Sequence, residues 1–147
     1  MDLWRETMTK TQTGYNPQFD FKVDLAYGQG AEAELVAFFN SVQGSKVEVK
    51  ADRYRNGKMT IETQCMNDNG EWCQSGINVT KAEWWAYRYA PGAFSLVSVA
   101  RLKKYLRLNK GHIEKWDFAK GSDHPSRGFL LTPDQVKQMM TEEWYDA

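Results

Sequence analysis

The stretch Val47–Gln64, VEVKADRYRNGKMTIETQ, holds the pattern that decides the fold. Apolar and polar residues alternate on both sides of Asn56-Gly57, a dipeptide that favours the positive φ values of a tight β turn. Two strands joined at that turn are predicted to pair as a hairpin. Side chains alternate faces along a strand, so Glu48, Lys50 and Asp52 share one face and Val47 and Val49 the other. In the second strand Glu62 and Gln64 stand opposite Ile61, Thr63 and Cys65. With the apolar faces buried together, Lys50, Asp52, Glu62 and Gln64 form a common polar surface. The wet side of an antiparallel sheet looks like this. So does a set of hard oxygen donors suited to Mg²⁺ or Mn²⁺.

The segment before the hairpin separates these two readings. Gly28, Ala31, Glu32, Leu35, Val36, Phe39 and Val42 recur at three- and four-residue steps, which predicts a helix from Gly28 that Gly44 caps at its C-terminal end. Position 32 of that apolar stripe is a glutamate, whereas Glu34 lies off it. An ionised carboxylate on a buried face is costly unless it meets a cation, a proton or a route to water. Glu32, Asp52 and Glu62 are therefore expected to converge as a three-acid metal site.

Further along, NDNGEWCQSG reads as a polar loop, and TKAEWWAYRYA as a short helix opened by a Thr80/Glu83 capping box. APG breaks that helix and AFSLVSV is a strand. ARLKKYLRL is a helix, NKGHIEKWDFAKGSDHPSRG a loop and FLLT a strand. PDQVKQMMTEEW is a helix with Pro133 in its first turn. Residues 1–19, rich in Thr, Gln, Asn and Gly, read as a loosely ordered arm, and residues 20–147 as one domain. The expected class is α/β, a mixed central β-sheet flanked by helices.

The chain has 147 residues, a formal net charge of zero and 41% hydrophobic residues, a globular composition. It contains no apolar run long enough to span a bilayer and no basic-then-apolar leader, so a cytoplasmic location is expected and a membrane partner is not. Cys65, Cys73, His112 and His124 have no recognised zinc spacing. No serine sits in a nucleophile elbow. Local charge is less even than the total. Arg101, Lys103, Lys104, Arg107, Lys110, Lys115 and Lys120 face only Glu114 and Asp117 within residues 101–121. That segment is either a solvated helix face or a surface that meets phosphates.

A helix with a glutamate near its start, the strand VEVKAD, a turn, the strand MTIETQ, and then SGINVTKAEWW together resemble the PD-(D/E)XK nuclease superfamily, in particular its small phage-type members. The likeness covers residues 28–90. It implies a restriction-endonuclease-like core (helix-strand-strand-helix-strand) and Mg²⁺- or Mn²⁺-dependent hydrolysis of DNA phosphodiesters, as in phage DNA processing or branched-DNA resolution. The location would then be the cytoplasm of a host cell.

By the resemblance, Asp52 and Glu62 hold metal, Glu32 assists, and Gln64 stands where the family most often has lysine. Lys50 on the same face, or Lys81, would supply the missing ammonium. The literal Glu48-Val49-Lys50 triplet, with Asp20 or Asp24 as its aspartate, is a poorer match because a helix intervenes. DNA contacts would fall on Arg53, Arg55, Lys81, Lys103, Lys104 and Arg107. Related small nucleases are often homodimers, though the sequence carries no dimer signal of its own. The Lys-to-Gln change also fits a catalytically degenerate DNA-binding or protein-interaction module on the same fold.

Overall fold

A computed structural model describes residues 17–51, 54–118 and 120–142, without the side chains of residues 17–21 and 24. The chain divides into two units, residues 1–44 and residues 45–147. The described part of the first is one long helix, α1 (Pro17–Val42), which begins well before Gly28. Proline suits a helix's first position, where its missing N–H is no loss. Gly44 follows with φ +84°, the left-handed conformation that a helix end favours. The residues assigned to a buried stripe are not buried: Leu35, Val36 and Phe39 are all more than half exposed, and Glu32 is exposed with them. No second described element belongs to this unit, so nothing within it covers that face.

The second unit contains β1 (Val47–Ala51), β2 (Met59–Met66), β3 (Trp72–Gln74), a 3-10 turn (Gly76–Asn78), β4 (Trp84–Ala90), β5 (Ala93–Ser98), α2 (Val99–Asn109), β6 (Glu114–Phe118), β7 (Ser126–Leu131) and α3 (Pro133–Thr141). Its strands form two sheets. One is mixed, in the order β1-β4-β5, with β1 parallel to β4. The other, β3-β2-β7-β6, is antiparallel throughout.

The expected hairpin between β1 and β2 is therefore absent. The Asn56-Gly57 turn does form: Gly57 has φ +74°, and the Lys58 N–H donates to Asn56 Oδ1 at 3.0 Å. It connects two sheets rather than two paired strands. Seven residues separate Ala51 from Met59, so the strands do not abut the turn as a two-residue hairpin requires.

The partner of β1 is a segment the sequence presented as helical. Trp84–Ala90, WWAYRYA, is the strand β4, rich in the aromatic residues that pack well on a pleated surface. Thr80 Oγ1, expected to cap a helix, accepts from the Ala82 N–H at 3.2 Å in a local turn. The helix-strand-strand-helix-strand order is accordingly not matched. Lys115–Phe118, expected in a loop, lies in the edge strand β6.

The core draws on both sheets and on α2 and α3. Met59, Ile61, Trp85, Tyr87, Leu102, Leu131 and Met139 are fully buried, and Val97, Tyr105, Leu106 and Ile113 join them. Thr132 and Gln135 make the reciprocal capping box of α3, and Ser98 Oγ caps α2 by accepting from the Arg101 N–H. Arg101 also ties the two helices together. Its Nε donates to the Met139 carbonyl at 2.7 Å and its Nη2 to the Glu142 carbonyl at 2.5 Å.

Candidate functional site: two depressions beside strand β2

Strand β2 changes register in its middle. Ile61 stands opposite Phe129 and Glu62 opposite Gly128, but Gln64 is opposite Arg127, leaving Thr63 as an extra residue. Such a bulge bends its strand and re-aims the side chains that follow. Thr63 is held by its hydroxyl, which donates to the Arg127 carbonyl at 3.2 Å, and by its carbonyl, which accepts from the Ser75 N–H at 2.9 Å. As a result Glu62 and Gln64 do not share a surface. Each lines a different depression.

The first depression, about 310 Å³, is lined by Lys50, Ala51, Tyr54, Thr60, Glu62, Phe118 and Ser126. Lys50 reaches it from the mixed sheet and Glu62 from the antiparallel one. Lys50 Nζ is 2.7 Å from Glu48 Oε1, and both side chains are about one-third exposed. It also lies 5.6 Å from the centre of the buried Trp85 ring. Val47 and Val49, expected to be the buried face of β1, are more exposed than this ion pair, Val49 at 60%. The charged face of β1 is the more buried one because Glu48 and Lys50 stand in register with Trp85 and Tyr87, the buried aromatic residues of β4.

Two glycines fix the backbone of Glu62. A Cβ on Gly128 would fall 1.9 Å from the Ile61 carbonyl oxygen, and one on Gly76 (φ +53°) would fall 2.2 Å from the Glu62 carbonyl oxygen. Only glycine lets neighbouring chain approach so closely. Beside them, the buried Tyr87 hydroxyl accepts from the Thr60 N–H at 3.2 Å, pinning the start of β2 to β4. Tyr54, Thr60, Phe118, Ser126, Gly76 and Gly128 were not singled out in the sequence. The fragments SG and RG, each a glycine beside a strand, are the only local sign of the last two.

The second depression, about 670 Å³, is lined by Thr63, Gln64, Lys115, Trp116, Asp117, Lys120, Arg127, Gly128 and Phe129. Three of these residues are cationic and one is acidic. The Arg127 guanidinium stacks on Trp72 at 3.4 Å, and its Nε is 3.9 Å from Asp117 Oδ1.

The remaining expected residues are scattered. Asp52 and Arg53 lie outside the described residues. Glu32 belongs to the first unit. Lys81 and Arg55 are exposed beyond their strands, and Lys103 and Arg107 are exposed on α2, one turn apart. Lys104, on the same helix, is half-buried. Among the described residues no three His, Cys, Asp or Glu side chains form a group that could hold a metal ion. The first depression contains one described carboxylate, Glu62, with hydroxyls from Tyr54, Thr60 and Ser126 nearby. Those oxygens suit a hard cation, but a second carboxylate would have to come from Asp52, next in the chain to Ala51.

No helix among the described residues is long and apolar enough to cross a membrane. Comparisons with protein-family models, curated proteins and solved structures found no match to this chain.

Proposed function

We propose that the chain acts on DNA by divalent-metal-dependent phosphodiester hydrolysis, with Asp52 and Glu62 as metal ligands and Lys50 as the neighbouring cation. The observation that carries the reading is the meeting of Lys50 and Glu62 in one depression, although they come from different sheets. Ala51, the residue before Asp52, lines the same depression.

A Mg²⁺ or Mn²⁺ ion bound there would lower the pKa of a coordinated water and offset charge on the phosphate. Lys50, already held by Glu48, would steady the anionic phosphate, and Glu62, fixed by its two glycine neighbours, would keep its carboxylate in place. Cleavage of plasmid and branched DNA with Mg²⁺ or Mn²⁺ tests the reading. Cleavage by the wild type that Asp52→Ala and Glu62→Gln both abolish supports it. Equal activity in all three, or none in any, rejects it.

A second reading, DNA binding without cleavage, is favoured by the placement of Gln64. The residue at the family's lysine position lies with Lys115, Lys120 and Arg127, in the other depression from Glu62. That basic hollow, with Trp116 and Phe129, suits a phosphate backbone and stacked bases. Salt-dependent DNA binding with no cleavage under any divalent metal selects this reading over the first.

A further inference from the structure

We propose that Cys65 and Cys73 form a reversible intramolecular disulfide between β2 and β3, which makes this pair a redox-modification site. The inference does not depend on the phosphodiester reading. The two cysteines are direct cross-strand partners. Two residues to one side, the Asn67 N–H donates to the Glu71 carbonyl; two residues to the other, the Ser75 N–H donates to the Thr63 carbonyl, both at 2.9 Å. This alternation puts Cys65 and Cys73 at a hydrogen-bonded pair, where opposite Cα atoms are about 5.5 Å apart. Disulfides span Cα separations of about 4.4–6.8 Å, so the Cα spacing of this pair falls within the range a disulfide bridges.

Both residues are free thiols, and both are partly exposed. Asn67 Nδ2 is 3.3 Å from Cys73 Sγ, which keeps that sulfur against the hairpin. The geometry also accounts for reversibility. Opposite Cβ atoms in antiparallel strands lie about 4.5–5.5 Å apart, against about 3.8 Å in a relaxed disulfide. The bond must therefore draw the strands together, and a disulfide under strain is more easily reduced. β3 has only three residues and lies at a sheet edge, so it can make that adjustment.

The oxidant is a small-molecule disulfide of the glutathione class. One protein thiolate attacks it, giving a mixed disulfide and releasing one small thiol. The second protein thiolate then attacks the protein-bound sulfur and releases the other. The protein loses two electrons and two protons, and the small disulfide gains both.

The test is incubation of the reduced full chain with oxidised glutathione, followed by thiol counting, a non-reducing gel and peptide mass mapping. Expected are the joint loss of both thiols, a linked peptide pair joining the Cys65 and Cys73 segments in a monomeric chain, and full reversal by dithiothreitol. Cys73→Ser should instead hold glutathione on Cys65 as a persistent adduct. A wild-type chain that collects glutathione adducts or interchain dimers, with no internal link, overturns the proposal. So does one whose two thiols stay free. The wild-type measurement needs no variant to fold.

Discussion

The two sheets of the second unit divide its work. The mixed sheet is built on β4, whose fully buried Trp85 and Tyr87 join a core shared with Met59, Ile61 and Leu131 of the antiparallel sheet. The antiparallel sheet is built on β2 and β7, and polar depressions open beside β2. A single extra residue at Thr63 separates Glu62 from Gln64 and gives each depression its own side chain. The comparison teaches that the candidate chemistry depends on how the sheets meet. Lys50 comes from the scaffold sheet, and it lines the same depression as Glu62 because the charged face of β1 is its more buried one.

The largest way to break this arrangement is at Gly128, where the antiparallel sheet has no room. Gly128→Ala should destabilise the chain by about 3 kcal/mol or more, as overpacking against backbone does. A urea melt reads this directly, and a stable Gly128→Ala protein would mean that β2 and β7 are not so closely apposed. Next come the acids. Asp52→Ala or Glu62→Gln should lower any metal-dependent cleavage about 100-fold or more, and Glu62→Gln should leave the melt nearly unchanged, since Glu62 is partly exposed and outside the buried core.

The junction between the sheets is probed by Tyr87→Phe, which strips the Thr60 N–H of its partner. A fully buried donor left unpaired costs about 1–3 kcal/mol; this bond is only partly buried, so a thermal melt should register a loss near the lower end, about 1 kcal/mol. On the basic side, Lys115→Ala with Lys120→Ala should reduce the salt dependence of DNA binding by roughly one to two in log–log slope. An unchanged slope would place the DNA elsewhere.

The smallest effect lies in the scaffold sheet. Burial raises the Tyr89 phenol above its ordinary value of 10.0, against a smaller lowering by its hydrogen bond with Ser95. The unfolded chain gives up this proton first. Stability from Tyr89 is thus complete below pH 10 and declines above it until the folded phenol also ionises. Tyr89→Phe should flatten that alkaline decline in pH-dependent melts.

Some of this was legible in the sequence because it is local. The Asn56-Gly57 turn, the Gly44 cap, the strand at AFSLVSV and the helices at ARLKKYLRL and PDQVKQMM follow from propensity and capping within a few residues. The sequence put Lys50 and Glu62 together through a β1–β2 hairpin that does not form; the two line one depression from separate sheets instead. The misreading of WWAYRYA had a long reach. Thr80 and Glu83 supplied a helix-start signal, and treating the segment as helical hid the parallel partner of β1. With that partner hidden, the Asn56-Gly57 turn made β2 the nearest strand for β1 to pair with.

The sequence by itself determined the Asn56-Gly57 turn and the helices at ARLKKYLRL and PDQVKQMM, since those choices are settled by neighbours in the chain. Tertiary structure alone decided strand partners, the inward face of β1 and the separation of Glu62 from Gln64. Pairing is chosen by competition among all strands for one buried surface, and a bulge appears only when two strands of unequal residue count must run side by side.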